Sequence, residues 1–248
     1  LVSQVNASPN HSERAGGIAP DMILLHYTGM QSVDSALTRL CDGDGEPKVS
    51  AHYLVREDGH ILQLVPELRR AWHAGEAEWE GKTDVNSRSI GIEIVNPGHE
   101  FGYRDYPERQ IEALIALCRD ILTRHRIRSD RVLAHSDVAP ARKQDPGEKF
   151  PWPRLHRAGV GHWVPPAPIA KGPMLKRGDR GEAVAALQTQ LARYGYGVSV
   201  TGEFDDRTAA AVTAFQRHFR PARIDGIADG STLTTLTDLL AARPTAAA

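Results

Sequence analysis

Apolar positions in this chain fall into short runs separated by turn residues, and the spacing within each run names an element. Met22-Ile23-Leu24-Leu25 is continuously apolar and ends at His26 and Tyr27, which predicts a buried strand over 22–27. Val33, Leu37 and Leu40 recur at helical spacing and predict a helix over 32–41. His52–Arg56 and His60–Val65 read as strands joined through Glu57-Asp58-Gly59, the chemistry of a hairpin turn. Ser89–Val95 is a further strand, closed by Asn96-Pro97-Gly98. From Pro107 to His125, Ile111, Leu114, Ile115, Cys118, Ile121 and Leu122 share one helical face, and Arg131–Ala134 returns as a strand. Strands alternating with helices make this part α/β. Residues 66–88 carry no period, hold Trp72 and Trp79 among glycines and charges, and read as a long loop of the functional kind.

The pattern changes after Val164. The stretch VPPAPIAKGP holds four prolines and no apolar face, so it reads as a stiff linker. Beyond it, 181–194, 207–219 and 229–240 are amphipathic, with glycines at the turns between them, and predict a small all-α domain of three helices. The expected organisation is a larger domain over 1–163, a linker over 164–173, the three-helix domain over 174–243 and a tail over 244–248. A module of this size without a His, Cys or carboxylate cluster of its own suggests binding or a structural role.

Composition narrows the partners. A formal net charge of -1 over 248 residues argues against nucleic acid. No apolar run approaches the length that spans a bilayer, and the opening LVSQVNASPNHSER has neither the charged nor the apolar region of a leader. Two cysteines, Cys41 and Cys118, are too few for a disulfide scaffold, and Cys118 falls on the apolar side of its helix as a buried thiol.

The richest chemistry lies in LAHSDVAPARKQDPG, residues 133–147. The imidazole of His135 and the carboxylate of Asp145 suit zinc, and Pro140, Pro146 and Gly147 restrict the loop that carries them. Asp145 reads equally well as the opening of a turn before Pro146. A third ligand must come from elsewhere, and His26 at the end of its strand is the best candidate. Two histidines, one carboxylate and one open position describe a catalytic zinc site rather than a closed structural one. Glu93 is a charge inside the otherwise apolar run Gly91-Ile92-Glu93-Ile94-Val95, so it should face a polar cleft and suits a general base; the competing reading is an edge-strand charge facing solvent. Lys143, two residues before Asp145, could stabilise a developing oxyanion.

LLHYTGM (24–30), SAHYLVREDG (50–59), AWHAG (71–75), SIGIEIVNPG (89–98) and AHSDVAPARKQDPGEKFPW (134–152) occur in this order, and with them the chain resembles the zinc-dependent N-acetylmuramoyl-L-alanine amidases of the type 2 amidase and peptidoglycan-recognition fold. The similarity is greatest to the bacterial branch containing AmpD and AmiD. Peptidoglycan-recognition relatives carry a cysteine where this chain has Asp145. The resemblance implies a mixed central β-sheet flanked by helices and one Zn2+ per chain held by His26, His135 and Asp145. It also implies Glu93 as catalytic base, Lys143 as the cation facing the tetrahedral intermediate, and Tyr53, Trp72 and His73 as groove-lining, substrate-binding positions that packing would equally explain. MLKRGDRGEAVAALQTQL and GEFDDRTAAAVTAFQRHF resemble a three-helix peptidoglycan-binding domain.

The expected activity is hydrolysis of the amide between N-acetylmuramic acid, or its 1,6-anhydro form, and the first L-alanine of the stem peptide, in wall turnover or recycling. A peptidoglycan sensor without catalysis and a zinc peptidase cutting inside the stem peptide are the alternatives. The partner is then peptidoglycan or a muropeptide. The binding module favours the periplasm or envelope, whereas the lack of a leader pattern fits a cytoplasmic recycling enzyme. Oligomeric state is not legible.

Overall fold

The computed structural model describes residues 1–244; of the tail expected over 244–248, positions 245–248 lie outside the described residues. In chain order the elements are β1 (Gln4–Val5), β2 (His11–Glu13), β3 (Met22–Tyr27), α1 (Val33–Cys41), β4 (Tyr53–Val55), β5 (Ile61–Gln63), β6 (Arg69–Ala71), α2 (Val85–Arg88) and β7 (Ser89–Ile94). Then come α3 (Glu108–His125), β8 (Val132–Ala134), α4 (His135–Val138), α5 (Trp152–Arg157), β9 (Met174–Leu175), α6 (Glu182–Tyr194), α7 (Asp206–Phe219), β10 (Ala228–Asp229) and α8 (Gly230–Ala241). The strands and helices read from periodicity are present. The additions are β1, β2, β6, α2, α4, α5, β9 and β10, each too short to show a period.

Six strands form a mixed sheet in the order β1-β5-β4-β7-β3-β8, antiparallel only where β4 meets β5 in the expected hairpin. The central β3 is buried along Met22–His26, as a strand covered on both faces should be. Alternation then divides the side chains. Ile23, Leu25, Ile90, Ile92, Ile94 and Tyr53 face α3, whose Ile111, Leu114, Cys118 and Ile121 close that side. Met22, Leu24 and Leu133 face the other way, into a core shared with Leu187, Tyr196, Phe215 and Phe219 of the helical region. The smaller cluster of Ala36, Leu40, Leu54 and Leu62 packs α1 beside it. Ser32 starts α1 by accepting a hydrogen bond from the Ser35 N–H at 3.1 Å.

The three expected helices of the C-terminal region are α6, α7 and α8. They repeat one device: Gln188 accepts the N–H groups of Thr201 and Gly202, and Gln216 those of Asp225 and Gly226, while Asp205 and Asp229 cap the next helices through Thr208 and Thr232, each at 2.8 Å. This module is docked rather than strung on its linker. Trp79 is fully buried against Tyr194 and Tyr196, and Gly195 must lack a side chain there, since a Cβ would lie 2.3 Å from the indole. The linker itself is pinned to α8, with Ala167 N–H donating to Thr235 Oγ1 at 3.0 Å. Among the described residues no helix is long and apolar enough to cross a membrane.

Candidate metal centre

Three parallel strands deliver the site at their carboxyl ends, the usual place for ligands in open α/β sheets. His26 lies opposite Glu93 in the β3–β7 register, and Leu25 opposite Ala134, so His135 emerges one residue past the end of β8 beside His26. Parity puts His26 on the face away from α3, with Met22 and Leu24. Asp145 is folded back by the 139–143 turn, and its carbonyl accepts the Ser136 N–H at 3.1 Å. Both readings of Asp145 therefore meet: it precedes Pro146 and also reaches the histidines.

The donor atoms converge. His26 Nδ1 lies 2.9 Å from His135 Nδ1 and 3.1 Å from Asp145 Oδ2, and His135 Nδ1 lies 3.0 Å from the same oxygen. All three residues are buried. Ligand atoms around a tetrahedral zinc with bonds of about 2.0–2.1 Å stand about 3.3–3.4 Å apart, so the triangle is close to the required size.

Hydrogen bonds behind the rings decide which nitrogens are free. His135 Nε2 donates to the Ala74 carbonyl at 2.9 Å, leaving Nδ1 as a lone pair. His26 is set through a longer chain. Ser89 Oγ donates to the Val85 carbonyl at 2.7 Å, so it accepts from His73 Nε2 at 3.2 Å; His73 Nδ1 then accepts from His26 Nε2 at 3.0 Å. His26 Nδ1 is left without a proton. Two lone pairs and a carboxylate oxygen thus crowd within 3.1 Å of each other with no hydrogen between them. That arrangement repels itself unless a cation occupies the centre, and the set fits zinc in size and in donor chemistry.

Protonation agrees. Burial, reinforced by the neighbouring His135, depresses His26 to about 4, and burial with the adjacent His26 and His52 rings holds His73 well below the usual imidazole range. Burial alone would raise the Asp145 carboxyl, but the His135 and His26 rings outweigh it and keep it well below the ordinary range. A neutral His26 ring and an ionised Asp145 carboxylate are the forms a metal needs.

A cavity of about 600 Å³ opens over these atoms, lined also by Glu93, Lys143, Trp72, Arg39, Lys48 and Arg142. Glu93 stands in it with Oε2 buried and without a protein partner. Burial first, then the Asp145 carboxylate, pushes its carboxyl well above the usual range, against the opposing pull of Lys143. A solvent-facing edge position for Glu93 is excluded, since β7 is internal to the sheet.

Of the three groove-lining candidates, Trp72 is half-buried on the cavity wall. His73 also lines the cavity, and both its ring nitrogens are engaged by His26 and Ser89, so besides standing in the wall it supports a ligand. Tyr53 is not brought to the cavity at all. It points to the α3 face, and its hydroxyl donates to Glu67 Oε1 at 2.7 Å beside a separate groove of about 710 Å³. Strand parity, with Leu54 rather than Tyr53 opposite Glu93, could have excluded it. Sequence reading missed Arg39, Lys48, Arg142 and Ser89. Only Arg142, beside Lys143, and Ser89, opening SIGIEI, carried a signal.

A profile of the N-acetylmuramoyl-L-alanine amidase family matches residues 16–148, and one of a peptidoglycan binding domain matches residues 180–236. The N-acetylmuramoyl-L-alanine amidase AmiD of Escherichia coli strain K12 is 40% identical over 226 residues, a match covering 85% of this chain and 79% of AmiD. The 1,6-anhydro-N-acetylmuramyl-L-alanine amidase AmpD of Enterobacter cloacae is 33% identical over 164 residues, or 60% of this chain and 86% of AmpD. Among solved structures, the complex of E. coli AmiD with anhydro-N-acetylmuramic acid-L-Ala-D-γ-Glu-L-Lys aligns with a TM-score of 0.76 at 36% identity, over 93% of this chain and 92% of that one. AmpDh3 of Pseudomonas aeruginosa in complex with anhydromuramic pentapeptide aligns at 0.72 and 30% identity, over 94% and 95%.

Proposed function

The chain belongs to the N-acetylmuramoyl-L-alanine amidase family, and from that premise we propose how its own residues perform the hydrolysis. It is a hydrolase that cleaves the amide between N-acetylmuramic acid and the L-alanine of the stem peptide, in peptidoglycan or in muropeptides released from it. The observation that carries the mechanism is the triangle of proton-free donors, His26 Nδ1, His135 Nδ1 and Asp145 Oδ2, within 3.1 Å of each other. These three hold one zinc. When bound, zinc would supply Lewis acidity toward the scissile carbonyl and a hydrolytic water whose pKa is lowered toward about 7.

Glu93 acts as the proton shuttle. Its carboxylate takes the proton of the attacking water and returns it to the leaving L-alanine nitrogen, a role suited to a carboxyl that burial raises above the usual carboxylate range. Lys143 faces the same cavity and stabilises the oxyanion formed as water adds to the carbonyl. Trp72 forms part of the substrate wall. The domain boundaries proposed are 1–163 for the catalytic part and 174–243 for the peptidoglycan-binding part, the matched ranges 16–148 and 180–236 falling inside them. The binding part favours substrate in the cell envelope, which fractionation of the producing cells would test against a cytoplasmic recycling role.

The test is digestion of muropeptides with and without a chelator, followed by mass spectrometry. Intact stem peptide beginning with L-alanine, formed only without chelator, is expected. Fragments cut inside the stem peptide would make the protein a peptidase, and binding without cleavage would make it a sensor.

A further inference from the structure

Asp137 lies two residues past His135 on α4 and is completely buried under the helical module. Its carboxylate receives three donors. Oδ2 accepts the Ala134 N–H at 2.8 Å and His218 Nδ1–H at 2.7 Å, and Oδ1 accepts the Tyr196 hydroxyl at 2.7 Å. The first bond fixes the turn where β8 becomes α4, from which His135 projects. The other two come from the module: His218 is on α7, stacked between Trp152 at 3.7 Å and Phe219 at 3.8 Å, and Tyr196 follows α6. A desolvated carboxylate is tolerated only when its lone pairs are met, and here two of three donors are supplied from across the interface. Movement of this turn also moves the second ligand, because Ser136 N–H holds the Asp145 carbonyl.

We propose that the helical module has a function besides binding peptidoglycan: His218 and Tyr196, acting through Asp137, hold the turn that presents His135, so affinity for the metal depends on the docked module. His218 and Tyr196 are positioning residues. The proposal rests on the reading of His135 as a metal ligand.

Full-length His218→Phe keeps a ring between Trp152 and Phe219 but removes the donor, whereas His218→Asn keeps a donor near the Nδ1 position and removes the ring. Tyr196→Phe removes a single oxygen. Zinc affinity would be measured by competition with a chromophoric chelator, alongside thermal melting and the visible spectrum of the cobalt-loaded protein. His218→Phe and Tyr196→Phe should each weaken zinc about tenfold and perturb the cobalt spectrum, while His218→Asn stays within about threefold of the parent despite a lower melting temperature. Unchanged zinc affinity in His218→Phe and Tyr196→Phe would overturn the proposal, as would affinities that follow melting temperature rather than the donor. His135→Ala is the control: loss of zinc binding there upholds the ligand, and parent-like binding would instead sink the ligand reading on which the proposal stands.

Discussion

Gly91→Ala is the sharpest probe of the support behind His26. A Cβ at Gly91 would lie 2.4 Å from His73 Cγ, 2.5 Å from Cδ2 and 2.6 Å from Nδ1, while ordinary contact begins near 3.4 Å. The ring must therefore retreat by about 1 Å, the difference between 3.4 and 2.4. It is wedged between His26 and His52, with centroids at 5.0 and 5.7 Å, and cannot yield without breaking its 3.0 Å bond to His26 Nε2. Overpacking of this kind costs about 1–3 kcal/mol, and a buried N–H left without an acceptor costs about 1–3 kcal/mol. These overlap, so a stability loss of about 2–4 kcal/mol is expected, together with zinc binding weakened about 10- to 100-fold. The assay is a double-mutant cycle with His73→Ala, scored by chelator competition. With the ring gone the added methyl has nothing to displace, so Gly91→Ala should cost almost nothing further in affinity, giving a coupling of about 1–3 kcal/mol. Additive losses would refute the relay from Ser89 through His73 to His26.

Three further outcomes follow from the site and its surroundings. Glu93→Gln should keep zinc at parent affinity and lose turnover by about 10²- to 10⁴-fold, and near-parent activity would remove Glu93 as the proton shuttle. Lys143→Met should lower kcat by about 10²- to 10³-fold with little change in KM; a change confined to KM would mean that it binds substrate instead. Away from the site, burial would raise the Glu67 carboxyl, but hydrogen bonds from Arg124, His125 and Tyr53 outweigh it and lower it to about 2. A folded pKa below the unfolded value contributes stability that is present above the unfolded value of about 4.5 and is lost as pH falls toward 2. With Arg124 42% exposed, about 1–2 kcal/mol is expected, so Glu67→Gln should be less stable than the parent in urea at pH 7 and equal to it near pH 2. A gap that persists at pH 2 would contradict this.

The donor set was legible because its residues sit at strand ends that hydrophobic patterning marks clearly: His26 after Met22–Leu25, Glu93 inside SIGIEI, His135 after Val132–Ala134. Tyr53 was misread because a motif gives position along a strand and not the face. In β4 the neighbouring Leu54 is the residue opposite Glu93. His73 does line the cavity, but its second role behind His26 was not legible, since the empty Cα of Gly91 that admits its ring belongs to another strand. The docking of the helical module was the least legible feature. Its ties join residues far apart in sequence, such as Asp137 to His218 and Glu78 to Arg207 at 2.6 Å, and a proline-rich linker gives no hint of them. No local pattern records a contact closed by the whole fold.

One short segment reconciles a site assembled from three strands with a fixed choice of proton on each ligand. Residues 73 and 74 are consecutive, and each terminates one ligand: the His73 ring takes the His26 Nε2 proton and the Ala74 carbonyl takes that of His135. Their own backbone N–H groups both end on Asn86 Oδ1, at 3.1 and 2.8 Å, and Arg142 donates to the same Ala74 carbonyl at 2.7 Å from the loop that carries Lys143 and Asp145. The two histidines arrive on separate strands, yet their tautomers are set by a single pair of residues held by a single side chain. A shift of this pair would misdirect both lone pairs at once. Losses on the ligand side should therefore be cooperative rather than graded, and AWHAG belongs to the metal centre as much as the strand ends that supply its ligands.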